Sequence, residues 1–492
     1  MRILLLGMPN VTFKSSRFTV LPNLGIVSLA GNIGEDHEAD VADLILVRNR
    51  SLSFLEHQIS KHPPDLVGFS AMTYQAKTAR YLARFIKQLD PEIRTIIGGI
   101  HATTLYEEIG QFWKSEFDFI IRGEGEQTLN ELLQTLNNGN KDLREIKGLS
   151  FKKNGKFIHN SMRPLQDLST VQLPNRSVRL LKKGFHLFGI KTDVVESSRG
   201  CLNKCKFCSI TQMYGRSFRT HLIDRVLSDI EACKKEGAKA IFFVDDNLTL
   251  NSKHFGNLCD GIVERGLNKL IYVTQASING LYNNPELFDK IALANFKGFF
   301  LGIENPKPET LRLHGKNVYR MAKKAEIVVS QLRSRNIIVY GGFIVANPDD
   351  NVREFYEAFK CAKKLKLDIA AFQPLHPYPK TEIREILLKQ GLVTNVDDYN
   401  YYGNGINVKT EHLSEKQIEF LLFKMFTEYH DLKWLFWNNI WRVYPKLFLK
   451  VLLSFGPSSL KDSFLVLTKL KATKDIAHKR YQHEKDYLEL RN

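Results

Sequence analysis

The sequence predicts an α/β protein in three parts: a doubly wound parallel sheet, a partial βα barrel and a C-terminal helical region. Two observations predict the sheets. Short apolar runs alternate with amphipathic helical segments over residues 1–140, and again over 191–392, the pattern of parallel strands joined by crossover helices. From about Asn400 to Asn492 the apolar spacing becomes helical throughout, which sets the third part apart. A chain of 492 residues that is 43% hydrophobic has room for two or three domains. No apolar run is long enough to span a bilayer, and Met1 to Gly7 reads as a buried strand rather than a signal peptide. A cytoplasmic protein is therefore expected.

In the first domain, residues 1–140, strands are expected at Ile3 to Met8, Ala39 to Leu46, Asp65 to Ser70, Thr95 to Gly99 and Phe117 to Ile121. Helices are expected at Leu24 to Ile33, Phe54 to Lys61, Ala76 to Leu89 and Thr103 to Phe112. Residues 141–185 read as a connector, with a small hairpin around the Lys153 to Gly155 turn and an extended stretch carrying Arg163-Pro164 and Leu173-Pro174. The barrel, residues 186–395, has strands at Val194 to Ser197, Ala240 to Val244, Leu270 to Gln275, Gly298 to Gly302, Ile337 to Ile344 and Ala370 to Gln373. Six strands make a partial (β/α)6 barrel, two short of a closed one. The last region, 396–492, opens on a capping box at Ser414 and Gln417. Trp434, Trp437 and Trp441 then share one helical face, flanked by Lys433, Arg442, Lys446 and Lys450 and followed by Val451 to Phe455. Such a face is usually buried, here as a cap on the barrel's open side; a basic, aromatic helix also suits a membrane interface.

The chemistry is concentrated in Gly200 to Cys208, where Cys201, Cys205 and Cys208 follow the first barrel strand. Active sites of βα barrels are built at that end of the strands. A structural zinc needs four protein ligands and a ferredoxin cluster four thiolates, whereas Cys233, Cys259 and Cys361 are isolated in helical contexts. Three ligands on a four-site cluster leave one metal open to a small molecule. The competing reading is a zinc site completed by His186 or His221, although zinc loops usually pair CxxC with a distant second pair. Six cysteines so arranged are no disulfide framework, and a reducing compartment suits them. The net charge of +17 is compatible with solvated helix faces, a membrane surface or anionic partners. No compact Lys/Arg run or nucleic-acid motif occurs, so nucleic acid is not expected as a partner.

CxxxCxxC with Phe207 before the last cysteine resembles the radical S-adenosylmethionine (SAM) superfamily. The resemblance implies a 4Fe-4S cluster on Cys201, Cys205 and Cys208, with the fourth iron chelating the amino and carboxylate groups of SAM. It further implies SAM contacts from Phe207, from Asp245, Asp246 and Asn247 at the second strand's end, from Ser277, and from Gly302 and Glu304. Gly341 to Ile344 and Pro374 to Thr381 match the last two strand ends. In the first domain, the turns holding Ser70, Met72 and Thr73, then Gly98, Gly99, His101 and Ala102, then Gly123, Glu124, Gly125 and Glu126, resemble the Rossmann-like cobalamin-binding domain of many radical SAM enzymes. Pro22-Asn23-Leu24-Gly25 looks like the segment that opens that domain's first helix. The first strand is followed by Gly7-Met8-Pro9-Asn10 rather than a dinucleotide fingerprint, so NAD or FAD is not expected. No D-x-H-x-x-G motif occurs, Asp36-His37 resembling it only superficially, so no histidine from that motif can ligate cobalt.

By this resemblance, reductive cleavage of SAM yields methionine and a 5'-deoxyadenosyl radical that takes hydrogen from an unactivated carbon, and cobalamin delivers a methyl group to it. C-methylation of a hydrophobic substrate, lipids and isoprenoids being candidates, is the leading expectation. Anaerobic radical cyclisation, oxidation or carbon-carbon coupling is the alternative. A non-catalytic corrinoid-binding sensor or assembly partner is a reading from another class, against which the intact cysteine triad argues. A ferredoxin or flavodoxin would supply electrons. The sequence offers many carboxylates and no geometry, so no catalytic acid or base is named.

Overall fold

The computed structural model describes residues 1–9, 19–138, 142–316, 320–396, 405–430, 434, 438–443 and 445. The first part of the chain contributes strands β1 (Arg2–Gly7), β2 (Thr19–Val20), β3 (Glu38–Asp43), β4 (Leu66–Ser70), β5 (Arg94–Gly98) and β6 (Phe119–Ile121), followed by β7 (Leu149–Lys153) and β8 (Lys156–His159). All but β2 form one sheet in the order β3-β1-β4-β5-β6-β7-β8, parallel from β3 to β6. Strand order reverses between β1 and β4, the crevice where such sheets bind ligands. Helices cover both faces, so consecutive residues of β1 are buried: Ile3 and Leu5 join one apolar cluster, Leu4 and Leu6 the other.

Two expectations shift in detail. The hairpin placed in the connector is the antiparallel edge of this sheet, with Phe119 opposite Phe151. Leu149 and Phe151 are buried with Ile121 and Leu132, contacts that a free-standing hairpin would forfeit. The helix expected from Thr103 to Phe112 is broken at Leu105 into Ile100–Thr104 and Tyr106–Phe112.

The second sheet is built from β9 (His186–Leu187), β10 (Ile190–Val195), β13 (Ala240–Phe243), β14 (Ile271–Ala276), β15 (Phe296–Glu304), β16 (Ile338–Val345) and β17 (Ile369–Pro374), while β11 (Ser198–Gly200) and β12 (Phe218–Thr220) form a separate ribbon. Its six parallel strands, β10 and β13 to β17, lie side by side in chain order as an open half-barrel. Phe243, Phe255, Tyr272, Phe296 and Phe299 stack between this sheet and its outer helices. β9 and then β2 extend the β10 edge, so Thr19 and Val20 pair with Leu187 and His186 although they come from the other end of the first domain.

The connector is fastened to both sheets. The Leu180 amide donates to Val41 O (2.9 Å) and the Val41 amide to Val178 O (3.0 Å). On the barrel side Arg176 donates to Val194 O (2.7 Å) and pairs with Asp229, while Arg179 pairs with Asp193 at 2.6 Å.

The C-terminal helix Glu415–Tyr429 begins at Ser414, whose amide donates to Gln417 Oε1 (2.9 Å). It packs on β17 and on the helix Val352–Leu365, where Tyr429 Oη donates to Leu367 O (2.7 Å). Trp434 is buried and its Nε1 donates to Asp368 O (2.7 Å), whereas Trp441 is 39% exposed. Trp437, Lys433, Lys446, Lys450 and Val451 to Phe455 lie outside the described residues. Among the described residues no helix is long and apolar enough to cross a membrane.

Candidate active site

The cysteine loop leaves the barrel through the β11–β12 ribbon. Gly200 has φ +89°, and a Cβ there would collide with Ser217 O, so glycine allows the ribbon to close tightly beside Cys201. Within the loop the Cys208 amide donates to Cys205 O (3.1 Å), and the loop is braced by Lys206, whose amide donates to His314 O (3.1 Å). All three cysteines are half-buried and free of disulfides. Burial pushes their thiols up, Cys208 to about 11, and the neighbouring cysteines raise those of Cys201 and Cys208 further. A cationic iron cluster removes that penalty, and three thiols on one short loop fit it. The histidines of the zinc alternative make other bonds: His221 Nδ1 and Nε2 face Leu168 O and Glu196, each at 3.2 Å, and His186 Nδ1 accepts from the Gly189 amide. Among the described residues no three His, Cys, Asp or Glu side chains converge on a single ion.

Around the loop the residues read from strand ends divide into two groups. Asp246 accepts the Gly200 amide at 3.0 Å and faces Cys201 and Cys208; burial pushes its carboxyl up to about 6. Glu304, at φ +66°, pairs with Lys316 Nζ at 3.0 Å, and Gly302 leaves room for the Glu304 carboxylate. Lys316 also bonds the Cys205 thiol and lies 5.8 Å from the centre of the Phe207 ring, which meets His314 edge-on at 5.2 Å. Asp246, Phe207, Glu304 and Lys316 thus surround the cysteines. Asp245, Asn247 and Ser277 instead bond the protein itself. Asp245 accepts from the Ser197 amide (3.0 Å), Ser197 Oγ (2.7 Å) and Ser198 Oγ (2.5 Å); Asn247 accepts from Thr249 Oγ1 (2.9 Å); Ser277 caps the helix Ile278–Tyr282 through the Gly280 amide (3.1 Å). Burial pushes Asp245 up to about 6. Lys316 and His314 escaped the sequence reading, since no motif marks them. Their one local signal is Gly315, at φ +74° against the Lys204 backbone.

In the first domain Thr103 laces the expected turns together: its Oγ1 donates to Gly99 O (2.9 Å) and accepts from the Gly123 amide (2.9 Å). Gly99 has φ +94°, and a Cβ there would sit 2.8 Å from Ala71 O. A Cβ added at Gly98 would lie in ordinary contact with Ile121, 3.9 Å away. Ser70 Oγ accepts from Asn23 Nδ2 (3.3 Å), Thr73 is buried and Met72 is 54% exposed at the crevice rim. Gly98, Gly99 and Gly123 give this rim short, glycine-lined turns. Ala102 and His101 lie behind it. His101 is buried, stacks on Trp113 at 5.5 Å and is pushed down to about 4, hence neutral. Glu124 and Glu126, flanking Gly125, are bound by Arg199 of the β11–β12 ribbon at 2.9 and 2.7 Å.

The two surfaces face each other. Thr103 Oγ1 is 3.5 Å from Met213 Sδ, on the helix Ile210–Tyr214 that follows the cysteine loop, and Gln212 Nε2 donates to Lys380 O (2.8 Å) in the loop that follows β17. Comparison with known proteins agrees with this pairing. The family model "B12 binding domain" matches residues 13–133 and "Radical SAM superfamily" matches residues 195–362. An uncharacterized methyltransferase of Pyrococcus horikoshii is 30% identical over 87% of this chain and 92% of its own. The chain belongs to the radical SAM enzymes that carry a B12-binding domain.

Two further relatives cover less of this chain. Anaerobic magnesium-protoporphyrin IX monomethyl ester cyclase of Cereibacter sphaeroides is 24% identical over 70% of this chain and 57% of its own. Hopanoid C-3 methylase of Methylococcus capsulatus is 30% identical over 65% and 60%. The fold is shared with the cobalamin-dependent SAM radical enzyme OxsB, with a TM-score of 0.70 at 17% identity over 95% of this chain and 74% of that one. The cofactors of this radical SAM enzyme are accordingly a 4Fe-4S cluster, SAM and cobalamin.

Proposed function

We propose that this enzyme cleaves SAM reductively and methylates an unactivated carbon of a hydrophobic substrate held between its two facing surfaces. The observation that carries the reading is the contact between Thr103 and Met213, which sets the glycine-lined rim of the first domain against the cysteine loop of the barrel. Cys201, Cys205 and Cys208 hold the cluster. The Asp246 carboxylate suits the SAM ammonium and the Lys316 ammonium its carboxylate, with Phe207 and Glu304 alongside. The turns at Gly98, Gly99 and Gly123 are the proposed cobalamin contact, their glycines supplying the tight backbone conformations those turns need. Bound, the cofactors supply the carbon radical and the methyl group; the chain's own part is to orient them and exclude water. The methyltransferase and methylase relatives support methyl transfer, and the hopanoid and porphyrin names of two relatives support a hydrophobic substrate. The cyclase relative supports a second reading, radical cyclisation or coupling without methyl transfer. A reduced ferredoxin or flavodoxin is the proposed electron source.

Anaerobic incubation with methyl-labelled SAM, a strong reductant and candidate lipids, isoprenoids or porphyrins tests this. Label in the product is expected. Deoxyadenosine formation with unlabelled product would favour cyclisation or coupling, and absence of deoxyadenosine from cluster-loaded protein would overturn both readings.

A further inference from the structure

Arg199 lies on β11, two residues before Cys201, with only 6% of its surface exposed. Its Nη1 donates to Glu124 (2.9 Å), its Nη2 to Glu126 and Glu196 (both 2.7 Å) and its Nε to Glu196 (3.0 Å). One guanidinium therefore holds two carboxylates of the first domain and one of the barrel. Each carboxylate has a further partner, and for Glu124 that partner includes a second arginine of the same ribbon. Glu126 accepts from Ser28 Oγ (2.9 Å), on the helix Leu24–Gly31. Glu124 accepts from the Gln166 amide (2.8 Å) and from both Nη atoms of Arg219 on β12 (3.0 Å each), and Glu196 faces His221 Nε2 (3.2 Å).

A buried ion pair is poor evidence for stability, because apolar side chains of the same volume would pack as well. A rigid fork held by fixed carboxylates does set orientation. The orientation set here is that of the strand leading into the cysteine loop, where the next residue, Gly200, donates its amide to Asp246 beside Cys201 and Cys208. On the other side, Glu124 and Glu126 extend from the Gly123 turn, whose amide is held by Thr103 of the glycine-lined rim.

We infer that Arg199 is a positioning residue that couples the cobalamin site to the cluster loop, so that occupancy of one site strengthens the other. This rests on the two-cofactor reading above. Coupling is reciprocal: a loop ordered by the cluster holds Glu124 and Glu126 where the cobalamin turn needs them, and the ordered turn holds the loop.

The test is the affinity for hydroxocobalamin of cluster-loaded and cluster-free protein, read from the corrinoid absorbance. Wild type is expected to bind at least about fivefold more tightly when the cluster is present, the lower end of ordinary coupling. Arg199→Ala would take the shared guanidinium from three buried carboxylates, leaving Glu124 with Arg219, Glu126 with Ser28 and Glu196 with His221, and can fail to fold, so the informative variants are Glu126→Gln, a neutral isostere, and Arg199→Lys, which keeps charge but loses the fork. In both the ratio should fall toward one. A merely structural role, or a direct Glu126 contact with cobalamin, weakens both forms equally and leaves the ratio unchanged, which overturns the coupling alone. Wild type that holds no cobalamin in either form overturns the coupling and the two-cofactor reading together.

Discussion

Asp43, at the end of β3, is buried, and its carboxylate accepts from the Asn23 amide at 3.2 Å, under Gly7. Burial pushes its carboxyl up to about 7. The native value lies above that of the unfolded chain, so the folded state keeps the proton longer. Asp43's contribution to stability is fully present below about pH 4 and is lost as pH rises toward 7, by roughly 4 kcal/mol at most. Glu124 and Asp193 run the opposite way, since neighbouring arginines hold them below the usual carboxylate range, but they are common to wild type and variant and cancel in the comparison. Asp43→Asn is expected to lose less thermal stability than wild type between pH 5 and pH 8. Equal losses in parallel melts would refute it. The cysteine loop was legible residue by residue because its spacing is local. Lys316 and Arg199 were not, because each acquires its meaning from partners brought in by other strands.

Among the elements, the strands were the most legible, since burial on both faces writes them as continuous apolar runs. Leu105, where a helix breaks, and the β7–β8 hairpin, which completes a sheet, were less so. Both depend on what packs against them, and the turn residues that announce a hairpin say nothing of its neighbour. The tryptophan stripe shows the same limit: Trp434 is core and Trp441 is exposed, although one helical pattern carries both. The C-terminal helix is keyed to the barrel by Tyr429, fully buried and bonded to Leu367 O. Tyr429→Phe keeps the packing and leaves that carbonyl without this donor, at a cost of about 1–2 kcal/mol. Urea denaturation should show a lower midpoint at unchanged slope; an unchanged midpoint would mean the hydroxyl contributes nothing.

For the whole molecule, the sequence announced a doubly wound sheet and a partial barrel and said nothing of how they are joined. Their joints are the pairing of β2 with β9, the connector strung between Val41 and Asp193, and the carboxylates around Arg199. These join surfaces far apart in sequence, so neither composition nor periodicity carries them. Because they are numerous, and the ion pairs of Arg179 and Arg199 among them are buried, the two sheets should melt as one cooperative unit, giving a single calorimetric transition whose calorimetric and van't Hoff enthalpies agree. Two resolved transitions in wild type would show the sheets to be independent.

The crossing of β2 onto the barrel also has a meaning in time. Thr19 and Val20 leave the ribosome early, while their partners His186 and Leu187 are synthesised roughly 170 residues later. At about 5–20 residues per second, that leaves the strand unpaired for roughly 10 to 30 s. The nascent first domain therefore carries an open edge, and its assembly is complete only when the barrel's first strands have emerged.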